Sequence, residues 1–390
     1  MRLLLIALTC ALGALPAVAQ ETPTDPAPAP VAQEPGAMRL DWQIGYYDHG
    51  DDLDGNPFLD EDLQVIEPVI LWDHQVDEDW GYSVKLSYDK VTSASIERLS
   101  MFPGQSGASG DNYVSLEYAS RHTLENGDLW SWNSQFSFEY DYLSLGLGTS
   151  YTTESDGGTA ATTWGLNGYY DVLDIIRWNG DESEGTDDRI SLTANWSHSR
   201  LLSPLWNGEV SAVVTGQSGF LETPYNFVVV DDGGTDVFDN GFIGTGVFEE
   251  VPDQRIRGAV SMRARRYLSE GHALEIGGRL YADDWGISSV SLEPRYYWQV
   301  DDDWMLRLRY RYYTQTEADF FVDGPLASLP GADEDRTQDS DLAAFDAHLF
   351  GFRLDWQANR RLRWFVDFNN VLREDGLDYM FASIGSSLSF

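Results

Sequence analysis

Apolar and polar residues alternate along most of the chain after residue 36. In the segment that begins Trp80-Gly81-Tyr82-Ser83, the apolar residues have even numbers and the polar residues and glycine have odd numbers. The same period of two recurs at 142–153, 255–266 and 304–313. Successive side chains of a β-strand point to opposite faces, so this pattern predicts strands with one apolar and one polar face. We therefore expect an all-β protein.

Connections of two lengths alternate between the predicted strands. Short ones, such as 74–79 and 300–303, are followed by connections that are often long and acidic, such as 220–253 and 317–341. Short periplasmic turns and long extracellular loops are typical of a transmembrane antiparallel β-barrel, whose strand number is even when both termini lie on one side. We predict about sixteen strands, at 37–48, 62–73, 80–92, 112–122, 128–140, 142–153, 161–171, 189–199, 206–219, 254–267, 272–283, 286–299, 304–316, 342–356, 361–372 and 377–390.

The two ends of the chain indicate export to the outer membrane of a Gram-negative bacterium. Residues 1–19 resemble a signal peptide, with a short apolar run that contains Cys10, the only cysteine. Residues 20–36 are rich in Pro and Ala and are expected to form a disordered periplasmic leader before the barrel at 37–390. The last strand ends in Leu388 and Phe390. A terminal aromatic residue on an amphipathic strand resembles the signal that the barrel-assembly machinery reads, so we expect that machinery as a partner.

The charge balance limits the possible partners. The chain has 25 Lys and Arg against 64 Asp and Glu, with a net charge of −39. Nucleic acid is excluded as a partner because its binding requires a positive surface. Acidic loops can simply keep the surface hydrated, or they can bind divalent cations that bridge to lipopolysaccharide. The expected surroundings are therefore outer-membrane lipid and lipopolysaccharide, and no oligomeric state is predicted.

The orientation of the strands predicts a charged interior. A charge that faces the bilayer midplane costs about 2–4 kcal/mol, so the apolar side chains should face lipid and the charged ones the lumen. The C-terminal strands then form a positive wall, and the N-terminal strands, with Glu117 and Glu139, form a negative one. Either the charges line an open pore or they pair and fill a closed lumen. The arginines expected inside are Arg255, Arg257, Arg263, Arg265, Arg279, Arg295, Arg307, Arg309, Arg311, Arg353 and Arg363.

Signs of chemistry are weak. The six histidines have no metal-ligand spacing, and no Ser–His constellation supports an active site, so neither a cofactor nor an enzyme is predicted. The mature chain has no thiolate for a metal site. Oxygen-rich loops offer only weak cation candidates, which are Asp52, Asp54, Asp333 and Asp335.

Several strings in the chain resemble one protein family. The most specific are Tyr281-Ala282-Asp283-Asp284-Trp285-Gly286-Ile287 and Arg309-Tyr310-Arg311-Tyr312-Tyr313-Thr314-Gln315. They are similar to exported bacterial proteins catalogued as domain of unknown function 3570, and the similarity spans nearly the whole mature chain. The resemblance implies an outer-membrane barrel and carries no established activity or functional residue.

Three functions are consistent with these observations. The favoured one is a porin-like channel for the passive passage of small solutes or ions through an arginine-lined lumen. The alternative is a plugged barrel with a structural or assembly role, which works with a periplasmic partner recruited by the 20–36 leader. An outer-membrane enzyme is a remote third hypothesis.

Overall fold

The structure is a computed structural model. It describes residues 34–50, 63–93, 111–139, 141–177, 183–224, 226–231, 244–331 and 334–390. The predicted signal peptide, most of the predicted leader, and the cation candidates Asp52, Asp54 and Asp333 lie outside the described residues.

Sixteen antiparallel strands form one closed barrel, in which each strand pairs with the barrel strands before and after it in the chain, and the first strand pairs with the last. The predicted fold class is therefore confirmed, and each of the sixteen predicted segments coincides with a strand within a few residues at each end. The barrel strands are β1 (Met38–Gly50), β2 (Leu63–Gln75), β3 (Trp80–Ser93), β4 (Asp111–Thr123), β5 (Leu129–Phe138), β6 (Tyr142–Ser155), β7 (Ala160–Asp174), β8 (Thr186–Ser203), β9 (Trp206–Gly219), β12 (Gln254–Ser269), β13 (His272–Asp283), β14 (Ser288–Gln299), β15 (Trp304–Gln315), β16 (Phe345–Asn359), β17 (Leu362–Arg373) and β18 (Asp378–Ser389).

The first and last strands close the ring. β1 pairs with β18 from Arg39 opposite Ser389 to Gly50 opposite Asp378. Beyond the last pair, the backbone N–H of Phe390 donates to the carbonyl of Met38 at 2.9 Å. The C-terminal segment that was predicted to carry the assembly signal thus forms half of the closing seam, where it leaves no free strand edge.

The outer face of the barrel carries apolar side chains and the inner face carries polar ones, as the alternation in the sequence predicts. Away from the strand ends, the exposed large apolar side chains, including Leu147, Met262 and Leu280, share one parity along each strand and form an outer belt. Side chains of the other parity, which include most of the charged residues of the strands, are buried or half-buried. Among the described residues, no helix has the length and hydropathy needed to cross a membrane.

The two ends of the barrel are unlike. At one end, here called the short-turn end, the connections have two to five residues, such as 204–205 and 300–303. Aromatic rings stack on the outside near this end: Trp304 lies 5.6 Å from Trp356, and His122 stacks on Trp130 at 5.4 Å. Such rings are typical of the level of lipid headgroups. The opposite end, here called the long-loop end, carries the longer loops.

Two long loops fold together at the long-loop end. The hairpin of β10 (Phe227–Val230) and β11 (Thr245–Phe248) lies between β9 and β12, where the sequence predicted only a loop. Its residue Val230 pairs with Leu326, and Glu250 pairs with Arg336, both in the connection between β15 and β16. All four residues of β10 are almost completely buried. We call the described residues of 220–253 and 316–344 the loop cap.

The outer belt gives the first testable prediction. Met262→Arg would place a charge in the belt and should reduce the yield of folded barrel, because the charge costs about 2–4 kcal/mol at the bilayer midplane. Ser261→Arg, on the inner face of the same strand, adds the same charge and is the control. The measurement is the fraction of heat-modifiable barrel on a gel after refolding into lipid. Equal yields for the two variants would contradict the assigned orientation.

Candidate functional site

The arginine ladder of β15 lies on the inner face and is buried. Only 3% of the Arg307 and Arg309 side chains is exposed, and Arg311 is also buried, whereas the intervening Leu308 is exposed on the belt. Arg307 reaches across β16 to Asp367 on β17, with 2.7 Å between Nη2 and Oδ2. Arg309 contacts Glu293 on β14 at 2.7 Å. The ladder is therefore part of the packed wall, and neighbouring carboxylates pair with Arg307 and Arg309.

Further pairs extend this network over β13–β17. Arg295 hydrogen bonds to Glu293, and its guanidinium also lies 3.5 Å from Glu275. Arg353 contacts Asp355 at 3.0 Å and lies 4.0 Å from the ring centre of Phe365. Arginine suits such positions because its planar guanidinium binds carboxylates and stacks on rings at the same time. The network accounts for why so many charges are tolerated in one wall.

Another set of charges is much more open to water. About a third of each side chain is exposed for Lys85, Arg263 and Arg265, with values of 38%, 36% and 38%. Arg263 pairs with Glu209 at 2.9 Å, and Lys85 pairs with Glu117 at 3.0 Å. In the ring of sixteen strands, β3 lies seven positions from β12, so these two pairs face each other across the lumen.

The remaining candidates are spread over the interior. Arg257 and Arg279 are half-buried beside Tyr281, and Arg363 lies 3.8 Å from Asp355. Glu139 directly follows β5 near the long-loop end. Asp335 belongs to the loop cap and is exposed, and no group of three or more potential metal ligands occurs among the described residues.

Several inner charges, among them Arg121 and Arg189, are not predicted from the sequence. Arg121 contacts Asp73 at 2.6 Å, and Arg189 contacts Asp171 at 2.9 Å. Glu67 was also missed, although its odd number on β2 places it on the inner face. The parity rule would have found all of them, since each has the parity opposite to that of the exposed apolar residues in its strand. With these additions the N-terminal wall is a mixture of ion pairs and an acidic surplus.

Polar contacts hold the loop cap together. Glu249, which is buried, accepts hydrogen bonds from the Thr337 hydroxyl at 2.6 Å and from the Thr223 backbone N–H at 2.7 Å. Burial raises the pKa of the Glu249 carboxyl, and the nearby Asp339 carboxylate raises it further. The Asp339 pKa is raised for the same first reason, its burial, and then by Asp341. A protonated Glu249 therefore fits the closed cap better than an ionised one.

Other contacts tie the cap to the barrel wall. Arg373 on β17 contacts Asp341 at 2.8 Å and donates to the Ser340 carbonyl at 3.0 Å. Gln315 at the end of β15 donates to the carbonyls of Asp341 and Ala343. Arg177 after β7 contacts Glu222 at 2.6 Å. The cap is thus attached to the wall at several points around the long-loop end.

The buried pairs are expected to matter for stability. Arg307→Ala removes the guanidinium that lies 2.7 Å from Asp367 in the packed wall. Breaking a buried ion pair in this way lowers the free energy of unfolding by about 3–5 kcal/mol. Arg263→Ala breaks a more exposed pair and should cost about 1 kcal/mol or less. Urea unfolding in lipid vesicles measures both free energies. A similar loss in the two variants would argue against the difference in solvation described above.

The cap should respond to pH through Glu249. A carboxyl whose pKa is raised by folding stabilises the folded state fully below its ordinary pKa of about 4.3, and this stabilisation is lost as the pH rises through the raised value. Hydrogen-exchange protection of the Val228–Val230 amides, corrected for intrinsic rates, should therefore fall as the pH rises above the pKa of an ordinary glutamate. Glu249→Gln should flatten this dependence. An equally steep profile in the variant would rule out Glu249 as its source.

The chain matches one protein family in sequence, and its fold is similar to that of several outer-membrane proteins of known structure. The model of the protein family DUF3570, described as a protein of unknown function, matches residues 103–373. No curated protein matches the chain. Similar solved structures include a bacterial polysaccharide outer membrane secretin, with 9% identity, a TM-score of 0.49, and coverage of 90% of this chain and 98% of that one.

Two further structures are similar to the same degree. Outer membrane protein OpdK of Pseudomonas aeruginosa has 9% identity, a TM-score of 0.44, and coverage of 92% and 99%. OmpT, an outer membrane protein of Vibrio cholerae, has 9% identity, a TM-score of 0.43, and coverage of 91% and 97%. The family match covers more than half of the chain and includes both of its most specific strings. The chain belongs to the DUF3570 family.

Proposed function

We propose that this barrel is a porin-like channel of the outer membrane, which passes small ions or polar solutes. The observation that carries the proposal is the set of half-exposed charged pairs on opposite inner walls of a closed barrel. A barrel of sixteen strands is wide enough for an aqueous channel unless loops fill it. Charges that water reaches on both sides support a hydrated passage through the short-turn half.

The distribution of charges in the lumen indicates which solutes the proposed channel favours. Arg263 and Arg265 stand on β12, and Glu67, Asp89 and Glu117 stand on β2–β4. Since β2 lies eight positions from β12 in the ring of sixteen, the two groups lie on opposite sides of the lumen. A field across the lumen orients water and disfavours apolar solutes. The proposed cargo is therefore small, hydrated and polar.

The outer membrane is the proposed location for physical reasons. An exposed apolar belt around a closed barrel needs hydrocarbon around it, and such barrels are typical of that membrane. Assembly there would use the C-terminal strand with Leu388 and Phe390 as the recognition signal.

The loop cap supports a second candidate function. Its buried strand β10 and its attachments to Arg177, Gln315 and Arg373 are features that a plug would also have. In that case the barrel has a structural or assembly role with a periplasmic partner, which the 20–36 leader would recruit.

Planar-bilayer recording distinguishes the two functions. The channel predicts discrete conductance steps, and the Arg263→Ala/Arg265→Ala double variant should shift ion selectivity toward cations, because two exposed positive charges leave the lumen. Arg200→Ala is the matched control, since Arg200 pairs with Asp156 at the short-turn rim and is half exposed there. Absence of conductance from folded protein would favour the plugged barrel. Unchanged selectivity in the double variant would refute the role of these two arginines.

A further inference from the structure

Arg257, on the inner face of β12, has no anionic partner in the described part of the chain. The register sets it directly opposite Thr215 of β9 and Asp283 of β13. The side chain is half-buried, so part of its hydration is lost. A guanidinium group that gives up water without meeting a counter-ion is unfavourable. The wall therefore carries a positive charge that the surrounding protein does not neutralise.

The carboxylate opposite Arg257 is fully used by other donors. The Oδ2 atom of Asp283 accepts from Arg255 at 2.5 Å and from the Tyr281 hydroxyl at 2.7 Å. Its Oδ1 atom accepts from two backbone N–H groups of the turn that follows, at 3.2 and 2.9 Å. A carboxylate has about four acceptor positions, and none of the Asp283 side chain is exposed. Asp283 thus has no position left for Arg257.

Two further arginines lie near Arg257. Arg255 stands two residues before it on the same face of β12, and Arg189 of β8 is also within electrostatic range. Arg189 contacts Asp171 through its Nε atom at 2.9 Å, and its two Nη groups have no hydrogen-bond partner among the described residues. Three guanidinium groups therefore share two carboxylates, Asp171 and Asp283, and several of their N–H groups remain unused.

The lumen has access to this group of arginines. In the packed wall, Arg307 and Arg309 have nitrogen atoms that are buried without a hydrogen bond. Of the described side chains, that of Arg257 has no such buried nitrogen, although it makes no hydrogen bond to the protein. Its N–H groups are therefore open to water, and a solute in the lumen can reach them.

Unused N–H donors and surplus positive charge suit an oxyanion, which only accepts hydrogen bonds. Arginine has five N–H donors in a planar fork that binds two oxygens of a phosphate or carboxylate at once. A phosphate monoester carries a charge of about −1.5 to −2 at neutral pH, whereas a carboxylate carries only one negative charge. Phosphate is the better match here, because it offsets the repulsion among three neighbouring cations.

We infer that Arg257, with Arg189 and Arg255 beside it, forms a binding site for the phosphate group of a solute in the lumen. The phosphate oxygens accept from the Arg257 guanidinium, and their charge reduces the repulsion from the other two arginines. The inference rests on the proposed channel function, which it deepens by naming a class of solute. Binding itself does not require conduction, so the two proposals can fail separately.

Calorimetric titration of the folded full chain in an uncharged detergent tests the site. The probe is glycerol 3-phosphate at constant ionic strength, and glycerol is the neutral ligand. The wild type should bind the phosphate and not glycerol. Arg257→Gln should weaken phosphate binding by about tenfold or more, because a charge-assisted contact is lost. Arg257→Lys keeps the charge without the planar fork and should also bind more weakly than the wild type.

Two controls separate a binding site from a structural role. Arg200→Gln removes the same charge from the exposed short-turn rim and should leave phosphate affinity unchanged. Without ligand, Arg257→Gln should unfold at an equal or higher temperature than the wild type, because it relieves repulsion and breaks no ion pair. A structural role of Arg257 would lower the unfolding temperature instead.

Two further ligands define what the site recognises. Sodium acetate, with one charge, should bind more weakly than glycerol 3-phosphate, and equal binding would overturn the assignment to phosphate. Inorganic phosphate distinguishes the source of the group. Tighter binding of inorganic phosphate would support a site for the free ion, and tighter binding of glycerol 3-phosphate would support a site for a phosphate ester.

The remaining outcomes decide between the site and the channel. No phosphate binding by the wild type, equal affinity in Arg257→Gln, or an equal loss in Arg200→Gln would each overturn the site. Phosphate binding by a barrel that does not conduct would support the site and reject the channel. Conductance without phosphate binding would reject the site and leave the channel.

Discussion

Closure of the hydrogen-bonded ring is the constraint on which the structure depends. In hydrocarbon, every backbone N–H and C=O must find its partner within the protein, so a sheet with free edges is excluded. The pairing of β1 with β18 removes those edges, and the Phe390 N–H adds one more bond to the seam. Once the ring is closed, each residue of a strand faces either the belt or the lumen. The chemistry of the interior follows from that division.

Inside the ring, charges meet two different environments. On β13–β17 they are packed against one another and against aromatic rings, as Arg307 and Asp367 are, and they contribute mainly to the rigidity of the wall. Arg263 on β12 and Lys85 on β3 stay 36% and 38% exposed, so they can act on what enters the lumen. The same residue type thus has two roles, and solvation decides between them.

The loop cap links parts of the chain that are far apart in sequence. Val229 donates from its backbone N–H to Gln338, 109 residues away, and Thr337 donates to the buried Glu249. Because several polar groups are removed from water together, the cap has to be satisfied as a unit. We therefore expect the stability of the cap to depend on the protonation of Glu249.

The sequence by itself determined the strands, their number and the side that each residue faces, because hydrocarbon outside and polar groups inside impose a period of two. It also identified the arginines of the inner wall, and the same rule would have found Arg121 and Glu67. Tertiary structure alone decided which charges are neutralised, since the contact of Arg307 with Asp367 crosses a strand and depends on the register of three strands. It also decided the loop cap, because the four-residue strands of its hairpin are too short for a periodic signal and are stabilised by partners distant in the chain.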